Sequence, residues 1–592
     1  MLLGKHFRRY YAKYALYFLV GVFVLIAVDW IQLDIPKLVG GIIDTLKSTS
    51  PNITQIEQSI IRIGVLALFI TIGRFLWRYT IFGASRRIEY ELRNVMFSHA
   101  TKLSQSFYSQ EKVGGLMTYF INDLEAIRMS FGPGILMLVD GLMLGGFALY
   151  RMFNLNSRLT LYAVIPMVFM TIALVFIRKT ISKRFKDRQD SFERLSDFTQ
   201  ENFSGITVIK AFVREIKEAI LFNDRNMDLY DKNIRFMKYI IIVNILIGIA
   251  LNIVILVIIV LGSLSVINAT SSDLTAGQLT EYLSYFFTLI WPTMALSQFI
   301  NIQSQARASA TRLEKFLNHP LDVKNSEDAY DVSDLKGTLK VDHLTFKYPD
   351  GDQPILLDVS FEIHRGEMVG ILGRTGSGKS SLVDLFLRTY NLEPGMIYLD
   401  GHDIMKLSVK SVRQSMGYVP QDNFLFSDTI TNNIGFALES PTKDDVIEPA
   451  KLSDVYDNIM EFKDQFETIL GERGVTVSGG QKQRISIARA LAKDPEILIL
   501  DDSVSAVDTK TEEAIIKNLH RIRKGRTTIF IAHRISTVKK MDKIILLDQG
   551  KVVAIGNHAT LMKTSPLYQD MVKRQTLENL VEGGANHEGL QG

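Results

Sequence analysis

Gly373-Arg374-Thr375-Gly376-Ser377-Gly378-Lys379-Ser380 is the stretch on which the reading of this sequence turns. A glycine, a short spacer and then Gly-Lys-Ser match the phosphate-binding loop pattern, and the surroundings fit it. The apolar run Met368–Leu372 reads as a buried strand before the loop, and Ser381–Tyr390 reads as a helix after it. Glycines let the backbone N–H groups of such a loop converge on an anion at the positive end of that helix. Lys379 suits the terminal phosphates of a nucleotide, and the Ser380 hydroxyl suits Mg2+. A glycine-rich turn without function is the alternative, and the strand before and helix after count against it.

A nucleotide loop of this kind needs an acid nearby to hold the hydration shell of Mg2+. Ile497-Leu-Ile-Leu500-Asp501 supplies one, as an apolar strand ending in a carboxylate. Alone that pattern is commonplace; beside the P-loop it becomes specific. Upstream of it, Val477-Ser478-Gly479-Gly480-Gln481 opens a helix-compatible run, Lys482–Ala492, and makes a second anion-binding helix start. Tyr348, Gln421, Asp508 and His533 are distributed in order around these elements. Further apolar runs, Leu339–Tyr348, Leu357–Ile363, Thr527–Ala532 and Lys543–Leu547, alternate with helical patterns. Such alternation predicts an α/β domain around a mainly parallel sheet.

The chain has 592 residues, more than one compact core accommodates, so at least two domains are expected. Hydrophobic residues make up 47% and charged residues 22%, averages that suit a membrane part joined to a soluble part. The net charge of +4 gives no reason to invoke nucleic acid. The absence of cysteine excludes disulfides, thiolate metal sites and cysteine nucleophiles. Ahead of residue 300 the sequence is dominated by apolar stretches of bilayer-spanning length, ~20 residues each. Six are placed: Tyr14–Ile35, Ile60–Ile81, Gly134–Phe153, Leu159–Ile177, Tyr239–Ile267 and Leu279–Ile300. The second is interrupted by Arg62, Arg74 and Arg78. The N-terminus is basic, and Asp29, Trp30, Asp34 and Pro36 stand where a signal peptide would need a small-residue cleavage site, so the first span is read as retained. Lys and Arg concentrate at the N-terminus and in the connections between spans two and three and between four and five, which places these on the cytoplasmic side.

These motifs together resemble the ATP-binding-cassette transporters, over essentially the whole chain. The resemblance implies a six-span α-helical transmembrane domain of exporter type, residues 1–317, a linker, 318–335, an α/β P-loop ATPase domain, 336–576, and a disordered tail, 577–592. It implies ATP and Mg2+ as cofactors, a plasma-membrane location, and a second half-transporter whose domain meets this one head to tail. Each ATP site then combines one domain's P-loop with the other's signature. Carried over by motif, Tyr348 resembles the aromatic that stacks on adenine, and Gly373 through Ser381 the phosphate cradle. Asp501 is similar to the Mg2+ acid, with Ser380 and Gln421 beside it, Gln421 also being similar to the loop glutamine that contacts the membrane half. Ser478, Gly479, Gly480 and Gln481 resemble the signature, Ser505–Asp508 the dimer-crossing loop, and His533 the switch histidine. Gly471-Glu472-Arg473-Gly474 resembles the segment that exporters set against the cytoplasmic helices. In the membrane half, Phe107–Gly115 with Asn122-Asp123 resembles the first coupling region, and Glu201–Phe212 the second. Fusion of both halves on one chain argues for export.

One position departs from the family pattern. Where the family has Glu after the Mg2+ acid to polarise the attacking water, this chain has Asp502. The carboxylate is one methylene shorter, so catalysis at this site should be slow while nucleotide binding survives. That substitution resembles the degenerate-site subunit of bacterial heterodimeric multidrug exporters, and implies a partner with Glu there; a homodimer that tolerates Asp is the alternative. For cargo, Asp29 in the first span is a candidate for cationic compounds, with Tyr282, Tyr285, Phe286, Phe287 and Trp291 as aromatic candidates on the sixth. Asp34, beside Pro36, is expected at the outer interface. Efflux of hydrophobic or cationic drug-like molecules is the expected function. A lipid or peptide exporter is the nearest alternative, and an ATP-sensing channel regulator the one from a different class.

Overall fold

A computed structural model describes residues 7–111, 113–267, 274–471, 474, 476–505 and 507–588. The chain divides into two compact units: Met1–Ser98 with Gly114–Asn318, and His99–Val113 with His319–Gly592. The second unit thus takes a segment that the sequence reading assigned to the membrane domain. Its physical basis is local: Ser104 Oγ donates to Asp322 at 2.6 Å, and the Phe107 ring packs edge-on against His319.

The first unit is all helix. Among the described residues, five segments are long and apolar enough to cross a membrane: Ala15–Lys47, Ile53–Ala100, Gly114–Leu155, Glu215–Ile267 and Ala276–Leu317. The helix Ser157–Ser204 occupies the place of the predicted fourth span, and side chains 167–176, 178 and 179 within it lie outside the described residues. The 48-residue helix Ile53–Ala100 is about 70 Å long at 1.5 Å per residue, well over twice the ~30 Å hydrocarbon thickness. Such helices continue far beyond the bilayer, which accounts for the charged connections read between spans.

Three spans are less regular than the apolar pattern predicts, the sixth through a break at Leu289 between the helices Ala276–Thr288 and Ile290–Leu317. The first breaks at Leu33, between the helices Ala15–Gln32 and Asp34–Lys47, because Pro36 fits only the first turn of the new helix. The third is interrupted by π-helical turns at Tyr119–Asp123, Ser130–Gly134 and Asp140–Leu144. Each turn carries a buried polar side chain, and all three bond to the helix Ile290–Leu317: Ser130 to Gln303, Asp123 to Ser309 and Arg312, and Asp140 to Trp291. Buried polar groups that find partners in this way fix the register of neighbouring helices. Toward the chain end of the first span, Gly40 and Gly277 let two helices approach until backbone meets backbone. Asp44 closes that crossing by accepting from the Gly277 N–H at 2.7 Å and the Thr275 hydroxyl at 2.6 Å.

The second unit holds two sheets. The strands are β1 Leu339–Phe346, β2 Leu356–Ile363, β3 Met368–Gly373, β4 Ile397–Leu399, β5 His402–Asp403, β6 Met416–Val419, β7 Ile497–Asp501, β8 Thr527–Ala532, β9 Lys543–Asp548 and β10 Lys551–Gly556. The six-stranded sheet runs β10-β9-β3-β8-β7-β6, parallel except for the edge strand β10; the other, β2-β1-β4-β5, is antiparallel. β3, β7 and β8 are buried along their whole length, as central parallel strands must be. Their alternation separates two cores: Ile497, Ile499, Ile529 and Ile531 face the antiparallel sheet and the helix Lys379–Phe386, while Leu498, Leu500 and Phe530 face the helices Gly479–Ala492 and Thr509–Ile522. The predicted linker is polar but bound to this unit: Tyr330 pairs with Leu407, and the Ser408 hydroxyl donates to Asp331. The boundary expected at residue 577 falls inside the helix Pro566–Glu588.

Candidate active site

The P-loop leaves the C-terminal end of β3, between β9 and β8. Two of its glycines are demanded by geometry. Gly378 has φ +96°, and a Cβ there would meet Leu356 at 2.6 Å; at Gly373 a Cβ would meet the Leu547 carbonyl at 2.3 Å. The loop therefore turns tightly into the helix Lys379–Phe386 with its amides at the helix start. Ser377 is buried, while Arg374, Thr375, Gly376 and Ser380 are exposed. Lys379 is buried and donates to the carbonyls of Gly373 at 2.8 Å and Arg374 at 3.0 Å. Burial pulls its ammonium down to about 8, against the raising effect of the Asp501 and Asp502 carboxylates.

Asp501 ends β7 and is buried. Burial pushes its carboxyl up to about 6, helped by the charge of Asp502 and opposed by Lys379 and by a hydrogen bond with Ser380. Asp502 has φ +45°, a left-handed conformation that Asp tolerates better than most residues. Its N–H donates to the Ile531 carbonyl at 2.9 Å, and its carbonyl accepts from Gln483 Nε2 at 3.1 Å and Ser505 Oγ at 2.8 Å. The backbone at Asp502 is thus held from three sides. His533 follows β8 directly, and its imidazole is held below the usual range by burial and by Lys379, with Asp502 opposing. Lys379 and Asp502 thus act electrostatically on each other and on both Asp501 and His533. Gln421 lies exposed just past β6, whose end pairs with β7 through Val419 and Leu500.

Tyr348 is half-buried, with its ring edge-on to Phe346 and Tyr390 and its hydroxyl donating to Ser381 at 2.8 Å. Ser381 is buried beneath it. Ser478 caps the helix Gly479–Ala492 in a reciprocal box with Gln481: each side chain bonds the other's backbone N–H. Ser478 and Gly479 are exposed, so this helix start faces outward. Among the described residues, the side chains of Ser478 and Gln481 make their hydrogen bonds within this cap and none to the P-loop. Asp508 caps the helix Thr509–Ile522. Glu472 and Arg473 lie outside the described residues. Sequence reasoning missed Gln483, which joins the signature helix to Asp502; its signal was a glutamine on the inner face of an amphipathic helix.

The aromatic cargo candidates separate. Tyr282, Tyr285 and Phe286 are fully buried in the helix bundle, with Tyr282 bonded to Thr160 and Tyr285 to the Leu33 carbonyl and Glu281. They pack and brace the bundle instead of presenting a stacking surface, because the inner face of the helix Ala276–Thr288 carries them. Phe287 and Trp291 are the exposed pair, and Trp291 Nε1 donates to Asp140 at 2.9 Å. Asp29 is buried, and its Oδ2 has no hydrogen-bond partner among the described residues. Asp34 pairs with Arg151 at 2.8 Å.

A P-loop at the end of a parallel strand, an acid on the adjacent strand and a helical unit of membrane-crossing length define a nucleoside triphosphatase built onto a membrane protein. The family described as "ABC transporter" matches residues 356–505, and the "ABC transporter transmembrane region" matches residues 18–293. The chain is 36% identical to the multidrug resistance-like ATP-binding protein MdlA of Escherichia coli, over 97% of this chain and 96% of that one. It is 35% identical to the probable multidrug resistance ABC transporter ATP-binding/permease protein YheI of Bacillus subtilis, over 98% of both. Among solved structures, a bacterial Atm1-family ABC exporter with ATP bound superposes with a TM-score of 0.72 at 25% identity, covering 96% of this chain and 98% of that one. The chain belongs to the ABC transporter family: it is a multi-pass exporter that carries its membrane and ATP-binding domains together and couples ATP hydrolysis to transport.

Proposed function

We propose that this chain is one half of a heterodimeric exporter that moves hydrophobic or cationic drug-like compounds out across the plasma membrane, with its N-terminus and ATPase domain cytoplasmic. Tyr348 receives the adenine, and the loop from Gly373 to Ser381 holds the phosphates, with Lys379 turning from its own loop carbonyls to the terminal groups. The Ser380 hydroxyl and Asp501 carboxylate are hard oxygen donors already hydrogen-bonded to each other, which fits Mg2+, with Gln421 at the rim. Held by these oxygens, Mg2+ would supply charge neutralisation at the phosphates. Among the described residues no cluster of three or more acidic, His or Cys groups competes for a metal.

Asp502 orients the attacking water and His533 contacts the terminal phosphate. The observation that carries the heterodimer is Asp502: it stands in an otherwise complete site while the signature Ser478–Gln481 is intact. A partner with Glu at that position receives this signature and hydrolyses ATP faster than the site built on Lys379. Exposed Phe203, Phe212, Val213 and Ile216 around the second coupling region support a partner, since such a patch on a cytoplasmic tip calls for cover. ATP closes the paired domains, and hydrolysis resets them and the membrane helices with them.

The relatives named for multidrug resistance support the cargo class, as do the buried Asp29 and the exposed Phe287 and Trp291. The test is uptake into inverted vesicles containing the transporter, comparing a cationic dye with a neutral hydrophobic one, under ATP and under a non-hydrolysable analogue. Accumulation of the cationic dye with ATP alone is expected. Transport of lipid or peptide without either dye would overturn the cargo assignment.

A further inference from the structure

The loop that carries His533 is held by an element far along the chain. Gln575, on the helix Pro566–Glu588, lays its side-chain amide against the backbone after β8. Its Nε2 donates to the His533 carbonyl at 2.8 Å, and its Oε1 accepts from the Ile535 N–H at 2.5 Å. Neither backbone group has a regular partner. His533 lies past the end of the β8 ladder, and Ile535 opens the short helix Ile535–Val538, whose first N–H groups are orphans. One amide satisfies both, and so fixes the residues on either side of Arg534.

The sequence places this glutamine where packing alone would place an apolar residue. Tyr568, Met571 and Val572 form the inner face of the same helix against the second core, and Gln575 continues that face. The helix also reaches the P-loop, where Asp570 lies 3.8 Å from Arg374. That pair is half-exposed and shared with Arg574, so it contributes little rigidity. The hold on the loop rests on Gln575.

We propose that Gln575 is a positioning residue for ATP hydrolysis: it fixes the backbone that carries His533, so that the imidazole meets the terminal phosphate in register. This rests on the role of His533 proposed above. Gln575 touches neither nucleotide nor reacting atoms, and acts only through the loop.

The test compares turnover, the ATP KM and ATP affinity of the purified full-length chain without a partner, where its own site does the hydrolysis, with those of Gln575→Ala, Gln575→Glu, His533→Ala and the double variant Gln575→Ala/His533→Ala. Gln575→Glu keeps the acceptor for Ile535 but sets a carboxylate oxygen against the His533 carbonyl, and it has the same size should Gln575→Ala fail to fold. Displacement of the imidazole by about 1 Å should lower kcat by roughly 10- to 100-fold in both Gln575 variants, with ATP affinity unchanged. Added to His533→Ala, Gln575→Ala should cost less than about twofold more, because residues acting through one group are not additive. Full multiplication of the two losses, or unchanged kcat in the Gln575 variants, overturns the proposal. Unchanged turnover in His533→Ala alone refutes the role of His533, and the positioning role falls with it; that outcome is read from the single variant.

Discussion

Replacing Asp502 by Glu should speed this chain's own ATP site. The backbone at 502 is held by the Ile531 carbonyl, the Gln483 amide and the Ser505 hydroxyl, so the substitution lengthens the side chain without moving its root. One methylene advances the carboxylate by roughly 1–1.5 Å, and a misplacement of that size is worth on the order of 100-fold in rate. That corresponds to ~2.7 kcal/mol of barrier. Against it stands the conformation, since φ is +45° at this position. Asp adopts left-handed backbone readily, whereas a longer side chain costs about 1–2 kcal/mol there. The strain falls on folding stability and leaves the barrier largely alone, so the rate gain should prevail. The assay is steady-state ATPase of the purified chain without a partner, for the native protein, Asp502→Glu and Asp502→Asn, with nucleotide affinity measured alongside. The expected result is slow native turnover, a 10- to 100-fold rise with Glu and near-complete loss with Asn, at unchanged ATP affinity. Brisk native turnover that Glu does not improve would refute the reasoning.

Two further outcomes follow from the geometry. Gly277→Ala would set a Cβ 2.0 Å from the Gly40 carbonyl and 2.6 Å from the Asp44 carboxylate, whereas a Cβ at Gly41 meets nothing within 4 Å. Overpacking together with loss of the Asp44 cap should cost about 2–4 kcal/mol, seen as a lower thermal midpoint in detergent that Gly41→Ala does not share. ATP binding should also be linked to protons through Lys379, whose ammonium is held near 8 by burial and returns to full charge beside phosphates. The free site binds fewer protons than the bound one above that pH, so binding takes up a proton and affinity falls as pH rises through 8. The same depressed value means that the nucleotide-free domain gains stability from Lys379 as pH rises from 8 towards its ordinary range, and loses that gain as pH falls. Calorimetry at pH 8.5 in buffers of different ionisation heat measures the uptake; its absence, or its persistence in Lys379→Arg, would contradict the linkage.

The parts of this protein legible in its sequence are those where one residue type serves one physical need. The P-loop glycines, the apolar strand ending in Asp501 and the Ser478–Gln481 cap could be read directly, because each needs particular residues at particular spacing. The apolar spans were legible for the same reason, but the π-turns of the third were not, because they arise from packing between helices; the break at Leu33 has its mark in Pro36. β4, β5 and β6 went unread because they are short, and β10 because an edge strand is half solvated. The polar stretch 318–335 reads as a free linker, yet the buried Arg388 bonds the Lys324 carbonyl as well as those of Ile404 and Leu407. Aromatics on the sixth span carry no mark that separates the buried Tyr282 from the exposed Trp291. Contacts between distant segments leave little local signature: Gln483 shows only as a glutamine on the inner face of its helix, with nothing to name Asp502 as its partner.

The proposed asymmetry of two ATP sites is tested most directly in the assembled transporter, with one variant in each functional half of this chain. Ser478→Arg disables the signature lent to the partner's site, and Lys379→Ala disables the site this chain builds for itself. Ser478→Arg should abolish nearly all ATPase and transport, while Lys379→Ala should leave most hydrolysis in place. Equal losses from the two variants would show that the sites share the work, and that Asp502 does not set them apart.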